Sequence, residues 1–140
     1  MKVCDISTQL DTCVTCLQTG NDGHVLAASF ADGHVKMWDT RSRQCVLTSR
    51  EHKQMVLGLQ WSGVNSLVSG CADGVVKVMH TFNLIYSSFI HSRQVWDMRR
   101  GSSVTTHRTN QPCLSLDIHP SSHILAAAHT NGQLAVYSVR

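Results

Sequence analysis

One ten-residue string, Asp32-Gly33-His34-Val35-Lys36-Met37-Trp38-Asp39-Thr40-Arg41, stands whole early in the chain and returns later in two pieces. The pieces are Asp73-Gly74-Val75-Val76-Lys77 and Val95-Trp96-Asp97-Met98-Arg99, separated by the 17 residues 78–94. A looser copy runs Asn131-Gly132-Gln133-Leu134-Ala135-Val136-Tyr137-Ser138. Asp32 and Asp73 lie 41 residues apart, as do Trp96 and Tyr137. Asp73 and Asn131 lie 58 apart, which returns to 41 once the 17 intervening residues are removed. A fixed internal period means a stack of like units, each burying its apolar face only against a neighbour.

A period of roughly 40–45 residues closing on Trp-Asp marks the blade of a WD-repeat β-propeller. The chain is therefore expected to be all-β, with about three blades of four-stranded antiparallel sheet. The repeats fall at about 1–41, 42–99 and 100–140. Closed propellers need roughly four to eight blades, so these 140 residues predict an incomplete ring, a fragment of a larger propeller. Alternating or apolar runs bounded by turn residues place the strands. They are expected at 14–18, 24–30, 35–38 and 45–48, then at 56–61, 66–71 and 104–106, with the split strand 75–77 plus 95–97 between the last two. The third repeat gives 113–119, 123–129 and 134–139, and residues 2–6 read as the outer strand of a further blade. Open sheet edges and faces invite self-association.

Residues 78–94 differ in composition from the rest. They carry Phe82, Tyr86 and Phe89, three of the eight aromatic residues, and they interrupt a strand, whereas tolerated insertions fall at loop tips. Valine codons begin GT and glutamine can be CAG, so a segment from Val78 to Gln94 has the ends of a short translated intron. The competing reading is a genuine loop.

Charge and chemistry-bearing residues exclude several classes. A net charge of +3 is mild, and neither Arg41/Arg43 nor Arg99/Arg100 is interleaved with stacking aromatics, so no nucleic-acid partner is expected. The six cysteines (Cys4, Cys13, Cys16, Cys45, Cys71, Cys113) have no disulfide-framework spacing, and no basic-then-apolar leader follows Met1. A reduced, cytoplasmic setting is expected. The most apolar stretch, 82–90, is far too short to span a membrane. Cys13-Val14-Thr15-Cys16 lacks the second ligand pair of a zinc site. The nine histidines are scattered, and no nucleophile is paired with a base. No catalytic residue, cofactor or metal is expected; the protein reads as a non-enzyme.

The remaining marked residues read as structure. Asp32-Gly33, Asp73-Gly74 and Asn131-Gly132 are blade turns in which glycine supplies positive φ. Trp38-Asp39 and Trp96-Asp97 are the repeat signature. WD repeats commonly tie a blade together with a His, a Ser or Thr, the turn Asp and the Trp. The matching hydrogen-bond set is His52, Ser69, Asp73 and Trp96, with Asp73 accepting from the imidazole. Such a set stabilises only when every member is satisfied.

Further strings narrow the comparison: Met1-Lys2-Val3, Asp5-Ile6, Cys13-Val14-Thr15, Arg50-Glu51-His52 and Leu116-Asp117-Ile118-His119-Pro120. In order and spacing they resemble the C-terminal propeller of the Raptor family, the regulatory subunits of TOR complex 1. The likeness covers nearly the whole chain outside 78–94. It implies a protein-interaction scaffold in nutrient-responsive TOR signalling, with components of the TOR kinase complex as partners, a cytoplasmic location and recruitment to the lysosomal surface. A generic WD-repeat adaptor, such as a substrate receptor of a ubiquitin ligase, is the alternative. Sequencing the transcript tests the intron reading: spliced message should lack the 17 codons of 78–94, and message that always retains them would make the segment a true loop.

Overall fold

The computed structural model describes residues 1–2, 5–20, 23–62, 66–80, 105–119 and 124–138. Among the described residues eleven strands run in chain order: β1 (Val14–Thr19), β2 (Val25–Phe30), β3 (Val35–Asp39), β4 (Cys45–Ser49), β5 (Val56–Ser62), β6 (Ser66–Cys71), β7 (Val75–His80), β8 (Thr105–Arg108), β9 (Cys113–Ile118), β10 (Ile124–His129) and β11 (Leu134–Ser138). Each pairs antiparallel with its sequence neighbour within three meandering sheets, β1-β2-β3-β4, β5-β6-β7-β8 and β9-β10-β11. The fold is all-β, and its ring is not closed.

The same turn recurs between the second and third strands of every sheet. Gly33, Gly74 and Gly132 donate backbone N–H bonds to the carbonyls of Phe30, Cys71 and His129 at 3.3, 3.1 and 3.1 Å. Their φ angles are 93°, 81° and 81°, a left-handed conformation open to glycine at little cost. The residue before each glycine caps the turn. Asp32, Asp73 and Asn131 accept from the backbone N–H of His34, Val75 and Gln133 at 3.1, 3.0 and 3.0 Å. These are three-residue hairpin loops ending in a left-handed residue.

Register makes the sheets superimposable position by position. Leu17 pairs with Ala28, Leu59 with Ser69 and Leu116 with Ala127. Those partners face Lys36, Lys77 and Ala135 on the third strands. The middle sheet is packed on both sides. Toward the first sheet, Val56, Leu59, Trp61 and Leu67 join Val25, Ala27, Val35, Met37 and Leu47 in one apolar core. Toward the third, Val68 and Val76 meet Cys113, Leu116, Ile118, Leu125 and Ala127. Gly58 and Gly70 make that second contact close: a Cβ at Gly70 would stand 2.7 Å from Cys113 Sγ.

Two expectations differ from the structure. Lys2, Asp5 and Ile6 belong to no strand; Ile6 and Leu10 instead pack on Ala28, Phe30 and Trp38. β7 does not stop at Lys77 but continues through His80, opposite Ser66. The Val-Met-His at the start of the 78–94 segment alternates as well as Val-Trp-Asp does, so backbone pairing carries on. In backbone register Met79 thereby pairs with Leu67 as Trp38 pairs with Leu26. Trp96 and Asp97 lie outside the described residues.

Two of the turns also seat on the segment that leads into the next sheet. A Cβ at Gly33 would lie 2.3 Å from His52 O, and one at Gly74 would lie 2.3 Å from Thr109 O, whereas Gly132 has nothing within 4 Å. Alanine at position 132 should cost only the left-handed strain, ~1–2 kcal/mol. Gly33→Ala and Gly74→Ala should cost clearly more, because a carbonyl must also move. Urea unfolding of the three variants checks the order; equal costs would contradict it.

Candidate functional site

His52 lies four residues before β5, in the segment that carries the chain from the first sheet to the second. It is buried at 4% exposure, and its Nε2 shares a hydrogen bond with the buried Ser69 hydroxyl on β6 at 2.7 Å. Asp73, at the β6–β7 turn, is near enough to pull the imidazole toward its charged form. Burial outweighs that pull and holds His52 down at about 4. Nδ1 of His52 is buried without a partner, so the carboxylate does not complete the expected set. Asp73 spends an oxygen on the Val75 N–H instead. His52, Ser69 and Asp73 are thus brought together, and Trp96 lies outside the described residues.

The first sheet solves the same position without polarity. Leu10, four residues before β1, stands where His52 stands, Ala28 stands where Ser69 does, and Trp38 closes the cluster against Phe30 in an edge contact at 6.4 Å. The third sheet has Ala127 at the serine position. Among the described residues the His–Ser pairing occurs in the middle sheet alone.

The Trp-Asp signature divides into two jobs. Trp38 is a core residue, 3% exposed. Asp39 caps the β3–β4 turn, accepting from the backbone N–H of Arg41 at 2.8 Å and from its guanidinium at 3.3 Å. Although burial opposes ionisation of Asp39, the Arg41 contacts hold its carboxyl below the usual range. Asp32 behaves alike: burial opposes its charge, and hydrogen bonds from His34 win. These charges fix turns rather than face a cleft.

His52, Cys71 and Asp73 each bring one potential ligand atom within 4.8 Å of the others. Nitrogen, sulfur and carboxylate oxygen form a zinc-type donor set. Burial pushes the Cys71 thiol up to about 11, and Sγ donates to Gln54 O at 3.3 Å. A cation would first have to displace that proton. Cys113 is likewise pushed up to about 11 by burial, and such thiols are inert packing groups. Cys13 is exposed and Cys16 half-buried, the latter aimed at Leu59 O.

One buried residue escaped the sequence reading. His129 ends β10 at 6% exposure, opposite Cys113, where the other sheets place Phe30 opposite Val14 and Cys71 opposite Val56. Its Nδ1 lies 3.2 Å from Gln111 O. Aligning strand ends on the three turns is the signal that would have found it.

Residues 1–64 match the family described as the anaphase-promoting complex subunit 4 WD40 domain. The β-propeller domain of Myceliophteria thermophila Cps50 (Swd1) superimposes over 92% of this chain and 38% of its own, with a TM-score of 0.72 at 22% identity. The fold is that of a WD40-repeat β-propeller with an unclosed ring. Among curated relatives, a Dictyostelium discoideum periodic tryptophan protein 2 homolog is 31% identical over 121 residues, 85% of this chain and 12% of that protein. The Dictyostelium discoideum protein raptor homolog is 26% identical over 142 residues, 97% of this chain and 8% of that protein. The Caenorhabditis elegans F-box/WD repeat-containing protein sel-10 is 29% identical over 59% of this chain and 11% of its own length. The chain therefore spans about an eighth or less of each of these three relatives. WD40 domains are in general non-catalytic surfaces for binding proteins, and among the described residues no helix of this one is long and apolar enough to cross a membrane.

Removing the Ser69 hydroxyl alone should leave the buried imidazole without a partner and cost ~1–3 kcal/mol. The pair His52→Leu with Ser69→Ala copies Leu10 with Ala28 and should recover most of that loss. It should also change the acid response. Below the ordinary histidine value of 6.5 the unfolded chain takes up a proton that folded His52 refuses until about 4. Stability should fall across that window by up to ~1.4 kcal/mol per pH unit, and the double variant should lose that slope. Urea midpoints from pH 7 to pH 4 measure both effects; an unchanged slope would contradict the assignment.

Proposed function

We propose that these repeats are an interaction scaffold of the Raptor type, the surface on which components of a TOR kinase complex are held. The breadth of one likeness carries the proposal: the raptor homolog matches 97% of the chain, more than the periodic tryptophan protein 2 homolog at 85% or sel-10 at 59%. The ordered strings from Met1-Lys2-Val3 to Leu116-Asp117-Ile118-His119-Pro120 support it. On this proposal the three units at about 1–41, 42–99 and 100–140 act as a platform in the cytoplasm, and 78–94 is an intrusion into the second unit. The turn residues Asp32-Gly33, Asp73-Gly74 and Asn131-Gly132 shape that platform rather than contact partners.

A second reading, a WD-repeat adaptor such as a substrate receptor of a ubiquitin ligase, draws on the likeness to the F-box/WD repeat-containing protein sel-10. Affinity capture separates the two. Tagged protein expressed in its own cells should recover TOR kinase; recovery of ubiquitin-ligase components with no TOR kinase would overturn the Raptor-type reading.

A further inference from the structure

Three donor atoms of different kinds meet in the middle sheet. His52 in the segment leading into β5, Cys71 at the end of β6 and Asp73 in the β6–β7 turn bring a nitrogen, a sulfur and a carboxylate oxygen within 4.8 Å of one another. His52 and Cys71 are buried, at 4% and 0% exposure. Tetrahedral zinc, with ligands at about 2.0–2.3 Å, holds its donor atoms roughly 3.4–3.6 Å apart, so the cluster has to contract by little more than about 1 Å.

The state of His52 points to a ligand independently. Its Nδ1 is buried without a partner, while Nε2 shares a hydrogen bond with the Ser69 hydroxyl at 2.7 Å. With Nε2–H donating to Ser69, Nδ1 carries a lone pair and no proton, the form in which imidazole binds a metal. The hydroxyl is then the outer partner that fixes the ring. Asp73 gives one oxygen to the Val75 N–H at 3.0 Å, and a carboxylate has a second to offer. Equivalent positions elsewhere do not collect donors in this way: they hold Leu10, Phe30 and Asp32 in the first sheet and Thr109, His129 and Asn131 in the third. The cluster therefore belongs to one unit and not to the repeat. Charge balances as well, since a divalent cation meets a thiolate, a carboxylate and a neutral imidazole. The neighbouring Lys77 and Glu51 neutralise each other in an ion pair at 3.0 Å.

We propose that His52 Nδ1, Cys71 Sγ and one Asp73 carboxylate oxygen bind a single zinc ion, which ties the segment entering the middle sheet to the β6–β7 turn. In the metal-free chain the Cys71 thiol is protonated, and Sγ donates to Gln54 O at 3.3 Å. Binding breaks that S–H bond, forms a Zn–S bond and releases the proton to solvent, with no change of oxidation state. Asp73 is only partly buried, so a water molecule reaches the fourth position of the tetrahedral shell. The ion acts as a clamp on the junction of two sheets, because the Gly33 turn of the first sheet seats on the carbonyl of the same His52. The inference is independent of any Raptor-type role.

Cobalt(II) reports a thiolate ligand through a near-ultraviolet sulfur-to-metal charge-transfer band. Titrating the purified, reduced protein with cobalt(II) should raise that band, and added zinc should displace it. Cys71→Ser should take up one equivalent of cobalt fewer and lose the corresponding absorbance. Asp73→Asn keeps an oxygen for the Val75 N–H, as Asn131 does for Gln133 at 3.0 Å. Its circular dichroism should therefore be unchanged, while its zinc affinity should fall at least ~10-fold, the least that loss of even an outer partner costs. A double variant, Cys13→Ser with Cys16→Ser, should bind as the native protein does. A native protein that raises no band overturns the proposal, as does a band that Cys71→Ser leaves undiminished. So does a band that the Cys13 and Cys16 substitutions remove, or a zinc affinity that Asp73→Asn leaves unchanged.

Discussion

Apolar packing of one sheet face on the next is the constraint on which everything else in this chain depends. Each unit of a repeat stack buries its apolar face only against its neighbours. The middle sheet is the one that satisfies both faces, with Leu59 turned one way and Val68 and Val76 the other. Glycine at positions 58 and 70 lets the third sheet approach until Leu116 fills the space a side chain would have taken. Hairpin turns, the buried aspartate of Trp-Asp and the His52–Ser69 pairing all serve to hold that face pairing in register.

The polar pair of the middle sheet and the apolar cluster of the first are two solutions to one packing problem. Leu10, Ala28 and Trp38 fill the volume with carbon. His52 and Ser69 fill it with a hydrogen bond, at the cost of one imidazole nitrogen left without a partner. A buried network strengthens a fold when complete and weakens it when partial. The position is therefore tolerant of chemistry: Leu10 with Ala28 fills it in the first sheet and His52 with Ser69 in the second.

Much of this was legible in the residues themselves. Asp-Gly and Asn-Gly announce their turns because few other pairs combine a capping oxygen with positive φ. The 41-residue spacing announces the sheets because equal register must recur at equal intervals. The features that the sequence withheld depend on contact or on competing patterns. Val78-Met79-His80 extends β7 as readily as Val95-Trp96-Asp97 would have, since alternation alone drives pairing. The unpartnered nitrogen of His52 arises from the direction in which the Asp73 carboxylate turns. The burial of His129 shows only after the strand ends are aligned.

Exposure of Leu17 and Leu134 was equally hidden, because their sequence surroundings match those of buried Leu59 and Val76. Face-to-face stacking of the sheets is the claim on which the scaffold reading rests. Methyl-resolved NMR tests it most directly. Nuclear Overhauser contacts from the Leu116 methyls to the α protons of both Gly58 and Gly70 are the expected result. A Leu116 with no cross-peak to either glycine would contradict it.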